Sequence, residues 1–251
     1  MLPALHVIFG TVALLVVPAA LVARKGSDWH KRWGTAFTAS MTVVLCTAGF
    51  MWQAKGHLFL VPLGLVSAYL IFNGWRVIAR RRRPEPVLFE DRIDRAAALG
   101  VIAAGCATAF LGLTAASPLM LSIRPALLGI GSIAICFGLN DILGFYAPRS
   151  RTGWLLAHLS AMLAAYISAT TAFLVINAHS VPMVLRWALP SAIGAATIVA
   201  YSIRVLGPAL SAARLRLRPA GQVSPAGATR SRASAAARSA EPSKPRRSAA
   251  S

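Results

Sequence analysis

The chain has 251 residues, 57% of them apolar and only 13% charged, with a mean hydropathy of +0.63; that balance excludes an ordinary soluble domain and points to a lipid-embedded protein. A formal net charge of +19 would suggest nucleic acid in a soluble chain, but most of it stands in connections and a tail flanking apolar stretches. Anionic lipid headgroups are therefore the expected partner, and no nucleic acid is expected.

A hydrocarbon core of ~30 Å needs about 20 apolar residues at the helical rise. Seven stretches meet that length, near 4–23, 35–54, 58–79, 96–115, 125–146, 154–177 and 183–205. The reading is an all-α, polytopic helix bundle over 1–206, followed by a separate tail over 207–251. The first stretch lacks both the basic start and the small-x-small cleavage pattern of a secretory signal, so it reads as the first membrane helix. Pro18 within it and Pro62 in the third stretch predict kinks unless neighbours satisfy the carbonyls that proline leaves without a donor.

In the fourth stretch Gly100 with Ala104, or Gly105 with Ala109, marks a face for close helix contact. Ala157, Ala161, Ala165 and Ala169 form a longer ridge of the same kind in the sixth. The three cysteines, Cys46, Cys106 and Cys136, lie inside apolar stretches, where cysteine acts as a small apolar residue, and no CxxC pair is present. No internal repeat is evident, which leaves the inverted halves of many transporters unsupported. Beyond the seventh stretch, nine basic residues accompany Glu241 in a segment rich in Ala, Ser and Pro. Such a composition predicts a disordered basic tail, whose first part, Leu210 to Arg218, suits a short surface helix.

Charge gives orientation, because Lys and Arg near helix ends stay on the cytoplasmic side. Arg24, Lys25, Lys31 and Arg32 follow the first stretch. Arg76, Arg80, Arg81, Arg82, Arg83, Arg92 and Arg95 surround the third connection, and Arg149 and Arg151 the fifth. The alternate connections hold only Lys55, Arg124 and Arg186. This places the N-terminus outside and the C-terminus in the cytoplasm of a bacterial inner membrane. Trp29, Trp33, Trp75 and Trp154 then map to inner ends, and Trp52 and Trp187 to outer ends, as expected of interfacial indoles.

Five histidines are the candidate ligands, and depth sorts them. His30 and His158 belong to the inner side; His6, His57 and His179 belong to the outer side. His6 and His30 are ~36 Å apart along the helical rise, so they cannot share a ligand. His6, His30 and His158 are the metal candidates, and paired imidazoles at one depth would also suit a b-type haem. Other polar groups gather at the inner level: Asn73 and Arg76 close the third stretch, Asp91 and Asp94 lead the fourth, and Asn140 and Asp141 lie late in the fifth. Asp141 is read as the acid inside a hydrophobic span, facing the bundle and paired with Arg76, Arg151 or His158. The ligand-binding set is thus His30, Asn73, Arg76, Asp141, Arg151 and His158.

No Ser, Thr or Cys stands in a nucleophile elbow or beside a spaced acid and base, and this points away from an enzyme. The opening Leu5-His6-Val7-Ile8-Phe9-Gly10 and the run from Lys25 to Gly34 that includes His30 resemble the bacterial membrane family catalogued as domain of unknown function 2306. Asp141, Arg151, His158 and Met162 look like that family's late acid and its Arg, His and Met. The resemblance spans roughly residues 4–205 and implies fold and topology, with no reaction attached. Three functional expectations follow. The first is a non-enzymatic module binding a ligand or partner at the inner polar cluster, the second a haem- or metal-binding redox protein, and the third a small-solute transporter with Ser67, Tyr166 and Thr170 as its polar centre.

Overall fold

The computed structural model describes residues 1–55, 60–81, 88–146 and 151–217, with 52–55, 88–90, 119, 146, 151 and 208–217 described for the backbone alone. His57, Arg82, Arg83, Arg149 and the tail from 218 onward lie outside the described residues. Seven helices follow in order: α1 (Leu2–Val22), α2 (Asp28–Lys55), α3 (Leu60–Arg81), α4 (Leu88–Leu113), α5 (Pro118–Tyr146), α6 (Arg151–Asn177) and α7 (Met183–Leu217). Among the described residues each is long and apolar enough to cross a membrane. The protein is all-helical and has the make-up of a multi-pass membrane protein. One compact unit comprises Met1–Val205, and the packing below is that of this unit.

The helices overrun the apolar stretches, and local chemistry explains where they stop. The chain turns between α1 and α2 through Gly26, whose φ of 81° suits a residue without Cβ. Ser27 then caps α2 by accepting the His30 backbone N–H on Oγ at 3.3 Å. Asp28 in the first turn adds a carboxylate where the helix dipole favours one and meets Lys31 at 2.9 Å. His30 is accordingly helical. Ser117 similarly caps α5, accepting the Met120 N–H on Oγ, with Pro118 beginning the helix. α7 continues to Leu217, through Gly207 and Pro208, past the point where the tail was expected to begin.

α3 is the central post. It packs most extensively with α6 and also touches α2, α4 and α5, while α1 pairs with α2 and α4 with α5. Of its apolar span 56% is buried, against 6% for α7. Small residues set the closest approaches. A Cβ added at Gly105 would lie 2.8 Å from the Gly131 carbonyl, and one at Gly131 would lie 2.7 Å from the Gly105 carbonyl, so the α4 and α5 backbones meet directly there. Gly100, by contrast, faces open space. On α6, Ala161 and Ala165 are fully buried in the core.

Pro18 behaves as its chemistry requires. Having no N–H, it leaves the Leu14 carbonyl without a helical donor, and Tyr166 on α6 donates its hydroxyl to that oxygen at 3.3 Å. Pro62 sits in the first turn of α3, where no intrahelical donor is lost, and so introduces no break.

Candidate functional site

The polar residues of α3 fall on two faces. Tyr69, Asn73, Arg76 and Arg80 recur at intervals of four, three and four residues, which makes a single stripe along the helix. Arg76 grips Asp94 of α4 in bidentate fashion, Nε to Oδ1 at 2.7 Å and Nη2 to Oδ2 at 3.0 Å. Both side chains are almost fully buried. Arg80 adds Nε at 3.4 Å from the second Asp94 oxygen and donates from Nη2 to Asn73 Oδ1 at 3.2 Å. Farther down the same stripe, Tyr69 donates its hydroxyl to Asp141 Oδ2 on α5 at 2.5 Å.

Asp94 is the acid the sequence undervalued. It precedes the apolar run of the fourth span, yet α4 begins at Leu88 and carries Asp94 into the bundle. The bidentate pair makes this burial affordable, because a guanidinium fork supplies both carboxylate oxygens with donors in a geometry lysine lacks. Asp141 is not the sole acid within a span, and its hydroxyl donor, Tyr69, was not foreseen. Arg151 was a candidate partner for Asp141, but its side chain lies outside the described residues.

The opposite face of α3 holds the histidine. His158, in α6, meets the Gly74 carbonyl through Nδ1 at 2.8 Å. Gly74 makes the approach possible: a Cβ there would come within 2.9 Å of Met162 Cε, one turn beyond His158. At the same end of the bundle His30 meets the Ala20 carbonyl of α1 through Nδ1 at 3.0 Å. A carbonyl only accepts, so in each ring Nδ1 must carry the proton. Nε2 of a neutral ring is then a bare lone pair in both histidines, and no described residue donates to it.

Lys25 completes this end. Its ammonium donates to the Ala20 and Leu21 carbonyls at 3.2 and 2.8 Å, capping the last turn of α1, and lies 5.3 Å over the Tyr201 ring. Partial burial lowers its pKa from the ordinary lysine range. The structure therefore places Lys25, His30 and His158 at one end of the bundle, and Asn73, Arg76 and Asp141 on the other face of α3.

His6 stands apart, in the second turn of α1 at the far end of the bundle, so the three metal candidates do not converge. Among the described residues no group of three or more His, Cys, Asp or Glu side chains is placed to hold a metal ion. Aromatic rings receive the outer arginines of the basic end. Arg81 lies 3.8 Å over the Trp154 ring, and Arg80 and Arg95 lie 5.2 and 5.5 Å over Phe145. The residues named for a polar channel are spent on helix contacts. Ser67 donates to the Leu63 carbonyl and so accepts the Ser168 hydroxyl at 2.5 Å, and Thr170 donates to the Tyr166 carbonyl at 2.9 Å. No family model, curated protein or solved structure matches this chain.

Proposed function

We propose that this is a seven-span protein of a bacterial inner membrane, N-terminus outside, which binds a ligand from the cytoplasmic side through His30 and His158. The observation that carries this reading is the shared anchoring of both imidazoles by main-chain carbonyls. Fixing Nδ1–H in advance removes tautomer and ring-flip freedom, and it leaves two Nε2 lone pairs for a hydrogen-bond donor or a Lewis acid. The charge pattern of the connections supports the orientation. The resemblance to the domain of unknown function 2306 family is proposed on the His6 and His30 motifs and the spacing to His158. The basic loops and the tail are proposed to lie against anionic headgroups, with the tail beyond 217 disordered.

In this reading Arg76, Asp94 and Arg80 do not contact the ligand. They tie α3 to α4 and hold the post against which His158 is set. The non-enzymatic part of the reading rests on the sequence, which has no nucleophile elbow and no Ser, Thr or Cys beside a spaced acid and base. Transport has less support, since Ser67, Tyr166 and Thr170 are committed to helix–helix and helix-backbone bonds.

The same anchoring favours a second reading, a b-type haem or another metal held by Nε2. Histidines that ligate metals commonly donate their other N–H to a carbonyl. Oxidised and reduced absorption spectra of protein purified in mild detergent, after expression with ample haem, separate the two. A Soret band lost in both His30→Ala and His158→Ala would establish haem. A colourless preparation that binds divalent zinc or copper only when both histidines are present would establish a metal-ion site. Absence of any binding that depends on either histidine contradicts the proposal as a whole.

A further inference from the structure

The far end of the bundle holds a cavity of about 310 Å³ between α1, α2 and α3. Its walls include Leu45, Gly49, Leu60, Gly64 and Ala68, and His6 is its principal polar lining residue. A Cβ at either Gly49 or Gly64 would meet nothing within 4 Å. These glycines therefore leave room open, unlike Gly105 and Gly131, where the missing side chain lets backbones touch.

The polarity of His6 is read from a chain of hydrogen bonds. Thr47 has one hydroxyl proton, and its Oγ1 lies 2.8 Å from the Val43 carbonyl and 2.9 Å from that of Val44. With that proton on the main chain, the 3.0 Å contact between His6 Nδ1 and Thr47 Oγ1 is donated by the histidine. His6 in its neutral form consequently holds its proton on Nδ1, and Nε2 is a pure acceptor. No described residue donates to Nε2. The cavity thus has apolar walls and one prearranged acceptor, which is the lining expected of a site for an amphiphile with a hydroxyl group.

We propose that this cavity binds a lipid-soluble aromatic alcohol, of the phenol or quinol class, whose O–H donates to His6 Nε2. A phenolic hydroxyl is a stronger donor than an aliphatic one, and its ring suits the apolar walls beside Met51, whose thioether favours aromatic neighbours. A quinone lacks the proton and offers only acceptors, so the site selects the reduced compound over the oxidised one. A lipid acyl chain fills the space without using His6. The proposal concerns the end of the bundle opposite His30 and His158 and is independent of any ligand there.

The probes are 2-naphthol and 2-methoxynaphthalene, alike in shape but different in having an O–H, titrated into the full chain in lipid nanodiscs. Wild-type protein should bind 2-naphthol about tenfold tighter, the effect of one hydrogen bond. His6→Ala should abolish that preference while retaining weak binding of both. Thr47→Val removes the group that fixes the ring, and should cut the preference to about threefold or less, which keeps the test alive if His6→Ala is poorly folded. Gly64→Leu places a side chain in the open space and should remove binding of both probes. Equal wild-type affinity for the two probes, as an acyl-chain groove would give, overturns the proposal. So does a preference that survives His6→Ala, or the absence of binding by either probe.

Discussion

Replacing Asp94 by Ala tests the buried pair that joins α3 to α4. Asp94 is 3% exposed and Arg76 9%, and the guanidinium meets both carboxylate oxygens. Removing the acid takes both carboxylate acceptors from a buried cation, and breaking such a pair from one side costs about 3–5 kcal/mol. For a unit of this size each kcal/mol moves the melting temperature by about 2–4 °C, so Asp94→Ala should lower it by roughly 10 °C. Size-exclusion of detergent-solubilised protein after graded heating reads this directly. The double variant Arg76→Leu with Asp94→Leu removes both charges and should recover at least half of the loss. Asp28→Ala is the control, since its pair with Lys31 is exposed and exposed pairs contribute about 0–1 kcal/mol. If Asp94→Ala melts within about 2 °C of wild type, or the double variant melts no higher than Asp94→Ala, the reasoning is refuted.

Tyr166→Phe should cost about 1–2 kcal/mol by leaving the Leu14 carbonyl unsatisfied. The cost should shrink in a Pro18→Ala background, where residue 18 regains an N–H; a double-mutant cycle with no coupling contradicts the proline argument. Gly74→Ala forces its new Cβ against Met162 and shifts the carbonyl that anchors His158. Binding at the basic end should therefore weaken at least several-fold in a protein that still purifies, and unchanged affinity would mean that the Gly74 carbonyl does not orient the ring.

The seven long apolar helices were legible because a run of about 20 apolar residues is a property of the chain alone. Helix ends were not. Asp28, His30 and Asp94 are polar, so a hydropathy criterion stops short of them, while a serine cap and an ion pair carry the helices onward. Depth read from charge alternation put His30, Asn73, Arg76, Asp141 and His158 in one expected set, and the structure divides that set between two faces of α3. Partner choice was hidden, because it depends on the rotation of each helix about its axis. Arg76 turns to Asp94, and Tyr69 to Asp141. The anchoring of His158 joins residues 84 apart in sequence through a main-chain oxygen, which no residue-type pattern records. Pro18 was the exception: its missing N–H announced a carbonyl in need of a donor, and only the identity of Tyr166 awaited the structure.

The account rests most heavily on His30 and His158 standing at the cytoplasmic end of a seven-span protein, and topology reporters address this directly. Fusions of fluorescent protein and alkaline phosphatase within the α1–α2 turn at Gly26 and the α6–α7 turn at Ser180 report on opposite ends. The account predicts fluorescence without phosphatase activity at Gly26 and the reverse at Ser180. Phosphatase activity at Gly26 would place both histidines outside and contradict it.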